Sequence, residues 1–179
     1  FLLNDIVRYW RTLCVDFAYK RWEQLDSPKW AERNLKLRMS RKVLFVSAIL
    51  VVFSCYQNRS LLPGQDSRLD DCDSTIKSHL LPFVRSTPWD IIVWTMQRLR
   101  QGEQCHDLLK LYDVYLRRLG DDDVRGHLKT LRFNTAYQDS LFNELRDISH
   151  AFQEILTGLF LGDAAHSDLR AFMHAYGVF

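Results

Sequence analysis

Apolar side chains recur at intervals of three and four residues over almost the whole chain, and this spacing constrains its fold more than any other feature. Residues at those intervals lie on one face of an α-helix, so the spacing predicts amphipathic helices. We find no convincing run of alternating β-type residues and no internal repeat. The sequence therefore predicts an all-α, multi-helix bundle of about six to eight helices.

The composition supports the same fold class. A chain of 179 residues suits one domain with a real core, and only seven glycines and four prolines argue against a loop-rich β fold. We expect a single helical domain over residues 1–179. Because the helical pattern is already under way at Phe1, which is not Met, we also expect it to be the C-terminal part of a longer protein.

Two helices are expected in the first 55 residues. The apolar stripe of the first helix consists of Leu3, Ile6, Val7, Trp10, Leu13, Cys14, Phe17 and Ala18. Asp26, Ser27 and Pro28 end it and begin a second helix, from about Lys29 to Ser54. The second half of that helix is apolar on every side, so it should run through the centre of the domain.

The apolar run 43–53 has about half of the roughly 20 residues that a membrane crossing needs. It therefore reads as a buried helix, and we expect no membrane partner. The four cysteines are widely and irregularly spaced, which argues against a zinc or dithiol site and favours a reducing, cytoplasmic location.

Turn and cap signals divide the rest of the chain. The polar stretch 57–73 reads as a loop, the best candidate for partner contact, and a short helix 74–81 follows. Thr87, Pro88 and Asp90 form a strong helix-start signal, and the helix they begin should stop at Gly102.

Acidic residues and Gly mark the remaining boundaries. A further helix 103–119 is closed by Gly120, a long amphipathic stretch ends at Gly162, and Asp163 caps the last helix. The clusters Asp70–Asp73 and Asp121–Asp123 precede predicted helices, so we interpret them as N-caps rather than metal ligands.

Charge is distributed unevenly. The net charge is +2, yet residues 1–42 hold ten Lys or Arg against five Asp or Glu. The N-terminal part therefore either meets an acidic partner or pairs with acidic helices of the same domain.

The first helix has a polar face opposite its apolar stripe, formed by Asp5, Arg8, Tyr9, Thr12, Asp16, Tyr19 and Lys20. This face could line a groove against another domain or a ligand. Alternatively, it is a solvated face with the helix pairs Asp5–Arg8 and Asp16–Lys20.

The second helix carries a basic stripe in line with its apolar half. Asn34, Arg38 and Arg41 share a face, and Lys42 lies beside them. A partly desolvated guanidinium needs an anion. The sequence leaves open an internal salt bridge to Asp5 or Asp16 and the binding of a nucleotide phosphate.

No stretch of the sequence contains a complete set of catalytic residues. Arg146 with His150, and Arg100 with His106, suggest the Arg–His pair of helical ribonucleases only weakly, because their spacing and context are poor. No Gly-rich phosphate loop follows a strand, and no Ser/His/Asp arrangement is legible.

Two N-terminal strings, FLLNDIVRYWRT at 1–12 and KWAERNLKLRMSRK at 29–42, carry a resemblance. They look like the helical region downstream of the catalytic domain in bacterial nucleotidyltransferases of the DNA polymerase β-like superfamily. The resemblance covers about 50 of the 179 residues. In that superfamily, catalysis belongs to a mixed α/β domain with a Gly-Ser turn and strand-borne acidic residues that hold Mg²⁺, and this chain has neither.

The resemblance implies an accessory, substrate-positioning domain that is not catalytic alone. Its expected partners are an upstream catalytic domain and a nucleotide phosphate; Mg²⁺ and a nucleoside triphosphate would bind only with that domain, and homo-oligomers are possible. The residues expected to face the substrate or the domain interface are Asp5, Arg8, Tyr9, Arg11, Asn34, Arg38, Arg41 and Lys42. The alternative is a free-standing helical interaction module that binds a protein through the 57–73 loop or the first helix.

Overall fold

A computed structural model describes residues 2–23, 29–58, 69–162 and 167–176. Its helices are α1 (Leu2–Glu23), α2 (Trp30–Arg38), α3 (Ser40–Gln57), α4 (Leu69–Val84), α5 (Pro88–Arg98), α6 (Gly102–Gly120), α7 (Asp122–Thr130), α8 (Phe133–Ala136), α9 (Ser140–Leu161) and α10 (Ser167–Tyr176). If α2 and α3 are counted as one, eight of the helices in these ranges have seven residues or more, and the ranges contain no strand. The predicted all-α, multi-helix bundle is confirmed.

The predicted second helix is interrupted at one residue. Met39 has φ −114° and ψ −86°, outside the helical region, and it divides α2 from α3. Its N–H still donates to the Leu35 carbonyl at 3.0 Å, and its own carbonyl accepts from the Val43 N–H at 3.0 Å. The prediction of an uninterrupted helix was therefore wrong at Met39, but α3 continues α2 after a local distortion.

Helix α3 lies at the centre of the bundle, as predicted. It packs against α1, α2, α4, α5 and α10. Its buried apolar side chains are Val43, Val46, Ile49, Leu50 and Phe53. A second group of contacts joins α6 and α9 to each other and to α5, α7, α2 and α10, so that one cluster of buried side chains runs from Leu3 to Met173.

Taken together, α2 and α3 form a 28-residue helical stretch, Trp30–Gln57, which is long and apolar enough to cross a bilayer by length and composition. Of its most apolar window, 44% is buried inside the bundle. The core helix of a soluble protein meets the same criteria, so the expectation of no membrane partner stays a prediction.

Two predicted N-caps are confirmed. The Thr87 hydroxyl accepts from the Asp90 N–H at 3.2 Å, and the Thr87 N–H donates to the Asp90 carboxylate at 2.9 Å. These reciprocal bonds form a capping box at the start of α5. At α7, the Asp121 carboxylate accepts from the Asp123 N–H at 2.9 Å.

Other predicted boundaries were wrong. The predicted loop 57–73 was wrong at both ends, because Gln57 belongs to α3 and α4 begins at Leu69. Helix α4 is therefore longer than the predicted 74–81, and the cluster Asp70–Asp73 lies inside it rather than before it. The turn after α5 is made by Arg100, whose φ of 60° is left-handed, while Gly102 opens α6.

The rest of the predicted loop, residues 59–68, lies outside the described residues. The same holds for the boundary at 26–28 and the cap at Asp163.

Candidate functional site

The N-terminal helix crosses the central helix where Trp10 of α1 stacks on Phe45 of α3. A concave surface lies on each side of this stack. The first, which we call the Arg41 groove, has a volume of about 480 Å³ and is lined by Asp5, Ile6, Tyr9, Trp10, Leu13, Arg41, Leu44, Phe45 and Ala48. The second, which we call the Lys42 cavity, has a volume of about 240 Å³ and is lined by Trp10, Lys42, Phe45, Val46, Ile49, Gln153, Leu156, Thr157, Phe160, Leu161 and Met173.

The polar face of α1 forms ion pairs within its own helix. Arg8 lies 3.4 Å from the Asp5 carboxylate, and Lys20 lies 2.7 Å from the Asp16 carboxylate. Both pairs expected of a solvated face are therefore present. Arg11 is also exposed, but it does not line the Arg41 groove.

The cations of the second helix are not neutralised by those carboxylates. Among the described residues, no carboxylate lies within ion-pair distance of Arg38, Arg41 or Lys42. Of the two alternatives that the sequence left open, the internal salt bridge to Asp5 or Asp16 is therefore not observed. The physical reason is local, because a cation one helical turn away holds each carboxylate.

Asn34 orients Arg38. The Arg38 Nε–H donates to the Asn34 side-chain oxygen at 2.9 Å, and Asn34 is itself buried. This leaves the terminal nitrogens of the half-buried Arg38 for another acceptor. Asn34 therefore acts in this structure as a support for Arg38 rather than as a surface contact.

Lys42 points away from Arg41, toward α9. Its ammonium donates to the Gln153 side-chain oxygen, and the Gln153 amide donates to the Thr157 hydroxyl at 2.9 Å. Burial lowers the pKa of Lys42 to about 8, and the positive charge of Arg38 acts in the same direction, against a smaller opposing effect of Cys14. The structure thus places a desolvated ammonium in a largely apolar cavity.

Cys14 is a titratable group of α1 that interacts electrostatically with Lys42. Burial raises the pKa of its thiol, and the charge of Lys42 partly offsets that rise. Sequence reasoning assigned Cys14 only to the apolar stripe and missed Gln153 and Thr157 altogether. Helical spacing indicates which face of α9 is polar, but it does not indicate which distant lysine that face meets.

The Arg41 groove combines one cation with aromatic and apolar walls. Arg41 is half-buried, and Tyr9, which is 64% exposed, lies on the opposite wall with Asp5. Such a groove can hold a ligand that carries an anionic group beside a planar or apolar one.

A larger cavity, of about 570 Å³, lies away from the predicted site, between α4 and α5, and sequence reasoning missed it. It is lined by Asn58, His79, Pro82, Phe83, Ser86, Asp90, Ile91, Trp94 and Arg98. His79 Nε2 lies 3.0 Å from the Ser54 hydroxyl. That hydroxyl donates to the Val51 carbonyl at 2.7 Å, so the Ser54–His79 pair is not arranged to activate a nucleophile.

The Arg–His pair that the sequence suggested weakly at Arg146 and His150 is not supported by the structure. Arg146 lies over the Tyr137 ring at 5.6 Å, while His150 is exposed. Within the described ranges, no group of three or more His, Cys, Asp or Glu is arranged to hold a metal ion.

Comparison with known proteins adds no relative. No protein-family model, curated protein or solved structure matches this chain. The two concave surfaces beside Trp10 and Phe45, with the cations that line them, are the candidate functional site of this chain.

Proposed function

We propose that this chain is the accessory, substrate-positioning helical domain of a cytoplasmic nucleotidyltransferase and is not catalytic alone. The observation that carries the proposal is that Arg41 lines the Arg41 groove and has no carboxylate partner among the described residues. A partly desolvated cation is costly unless an anion compensates it. A guanidinium matches phosphate oxygens through two parallel N–H bonds, and the resemblance of residues 1–12 and 29–42 indicates a nucleotide as the source of that phosphate.

The Arg41 groove is the surface that would meet the nucleotide. In this proposal Arg41 binds a phosphate, while Tyr9 and Asp5 offer the opposite wall an aromatic face and a hydrogen-bond acceptor. Arg8 and Arg11 are exposed on α1 and would face the upstream catalytic domain. Mg²⁺ and the carboxylates that hold it would come with that domain.

Calorimetry with sodium tripolyphosphate at low ionic strength tests this role on the whole chain. We expect Arg41→Gln to weaken binding about tenfold, because charge-assisted hydrogen bonds are lost. The matched control is Arg85→Gln, which removes an exposed arginine outside the groove. Equal weakening by both variants, or no binding at all, would overturn the proposal.

A second candidate function is that of a free-standing protein-interaction module. It is favoured by exposed apolar side chains on α1, among them Val15 and Trp22, which are 66% and 80% exposed. A protein partner recognised by this face should lose affinity for Trp22→Ser and keep it for Arg41→Gln. The opposite pattern would favour the nucleotide-positioning role.

A further inference from the structure

The Lys42 cavity has one charged side chain in an otherwise mostly apolar lining. Five of its lining side chains are buried and apolar: Val46, Ile49, Leu156, Phe160 and Met173. Polar atoms come from Lys42, Gln153 and Thr157. Such a surface is suited to an amphiphilic guest rather than to a fully hydrated ion.

The ammonium of Lys42 has capacity left for a ligand. It carries three N–H donors, and the Gln153 side-chain oxygen accepts from one of them. No described carboxylate pairs with it, and the nearby Arg38 adds a second positive charge that is likewise unpaired. An anion entering the cavity would therefore meet the uncompensated ammonium of Lys42, with the positive charge of Arg38 close enough to act on that ammonium.

We propose that the Lys42 cavity binds a small organic carboxylate with an apolar body. The carboxylate accepts hydrogen bonds from the Lys42 ammonium, and its hydrocarbon chain packs against Val46, Ile49 and Phe160. A polyphosphate fits less well, because its charge needs more donors than Lys42, Gln153 and Thr157 supply. The inference is independent of the proposed nucleotide role, which concerns the opposite side of the Trp10–Phe45 stack.

The size of the cavity sets the length of the carboxylate. A volume of about 240 Å³ admits a short aliphatic carboxylate such as hexanoate or octanoate. Each methylene that becomes buried should tighten binding about fourfold until the cavity is full.

Calorimetry with butanoate, hexanoate and octanoate tests the inference on the whole chain. We expect affinity to rise along this series and octanoate to bind about tenfold more tightly than uncharged 1-octanol. Lys42→Met keeps the aliphatic stem and removes the charge, so it should weaken octanoate about tenfold and abolish the preference over 1-octanol. Lys110→Met, which removes an exposed lysine of α6, is the matched control and should bind like the wild type.

A second variant blocks the cavity without changing its charge. Thr157 is exposed and lines the cavity, so Thr157→Trp should fold normally and prevent octanoate from entering. The inference fails if octanol binds the wild-type chain as tightly as octanoate, or if butanoate binds as tightly as octanoate. It also fails if Thr157→Trp leaves octanoate binding unchanged. Tripolyphosphate binding by Lys42→Met and Thr157→Trp is measured separately, because both variants leave the lining of the Arg41 groove unchanged.

Discussion

The indole of Trp10 lies against the Phe45 ring with ring centroids 4.9 Å apart and ring planes inclined by 21°. Both residues line the Arg41 groove on one side and the Lys42 cavity on the other. The stack therefore forms a wall between two surfaces of different chemistry. It keeps the half-buried Arg41 apart from the desolvated ammonium of Lys42.

Replacing Trp10 tests the importance of that wall. Trp10→Ala should lower the free energy of unfolding by about 2 kcal/mol, less than for a fully buried Trp because Trp10 is half-buried. Urea denaturation followed by circular dichroism measures the change. The control is Trp22→Ala on the same helix, where the side chain is 80% exposed and the change should stay within about 0.5 kcal/mol. Similar losses in both variants would contradict the role of the stack.

Removing the charge of Lys42 should stabilise the protein. Lys42→Met keeps the buried stem and eliminates a desolvated ammonium that has no carboxylate partner among the described residues. We expect the free energy of unfolding at pH 7 to rise by about 1 kcal/mol, a figure reduced because part of the side chain reaches solvent. Urea denaturation measures it, and a loss of stability would show that the ammonium is well compensated.

The effect of Lys42→Met should also depend on pH. The pKa of Lys42 is about 8 in the folded protein against a usual 10.5, so the unfolded chain binds more protons between these values. The free energy of unfolding of the wild type should therefore rise relative to Lys42→Met as the pH increases from 8 to 10.5. A difference between the two proteins that stays constant over this range would contradict the lowered pKa.

Removing the charge of Lys36, six residues before Lys42, should instead destabilise the protein. It pairs with Glu32, whose carboxylate is buried. The hydrogen bond from Lys36 lowers the pKa of Glu32 against the opposing effect of burial. Lys36→Met leaves that carboxylate without its partner, so we expect a loss of about 1 kcal/mol at pH 7.

The pH dependence of Lys36→Met follows from the same pair. A lowered carboxyl pKa contributes stability above its unfolded value, and this contribution is lost as the pH falls. The difference between wild type and Lys36→Met should therefore shrink below about pH 4. Urea denaturation at pH 7 and pH 3 compares the two, and a penalty that grows in acid would exclude this explanation.

The capping box of α5 should contribute measurably to stability. Thr87→Ala removes the hydroxyl that accepts from the Asp90 N–H, so we expect a loss of about 1 kcal/mol. Ser78→Ala is the control, because that exposed hydroxyl only donates to the Ser74 carbonyl one turn earlier in its own helix. Thermal or urea denaturation measures the loss of stability in both variants. Equal losses would argue against a stabilising role of the cap.

Local signals predicted much of the fold correctly. The apolar spacing of α1, α3, α6 and α9 is legible because a helix buries residues three and four apart. The capping box was also predictable, since all its atoms lie within four consecutive residues. The break at Met39 was not, because methionine is a good helix former and no Gly or Pro marks the position. Met39 is fully buried, so its conformation depends on packing.

The candidate site was predicted only in part. Arg41 and Lys42 were recognised as neighbours on one basic stripe, but successive residues on a helix point about 100° apart. That angle is enough to place them in two different concave surfaces, one on each side of Phe45. The salt bridges from the basic stripe, which the sequence left open, do not form because Arg8 and Lys20 pair with Asp5 and Asp16 within α1.

The sequence by itself determined the all-helical class, the central position of α3 and which residues of α1 are spaced to pair within the helix, since all of these follow from spacing along the chain. Only the tertiary structure decided that Lys42 meets Gln153, 111 residues away, and that its cavity is closed by α9 and α10. The physical reason is that helical periodicity fixes which residues share a face, whereas the partner of that face depends on how the helices pack.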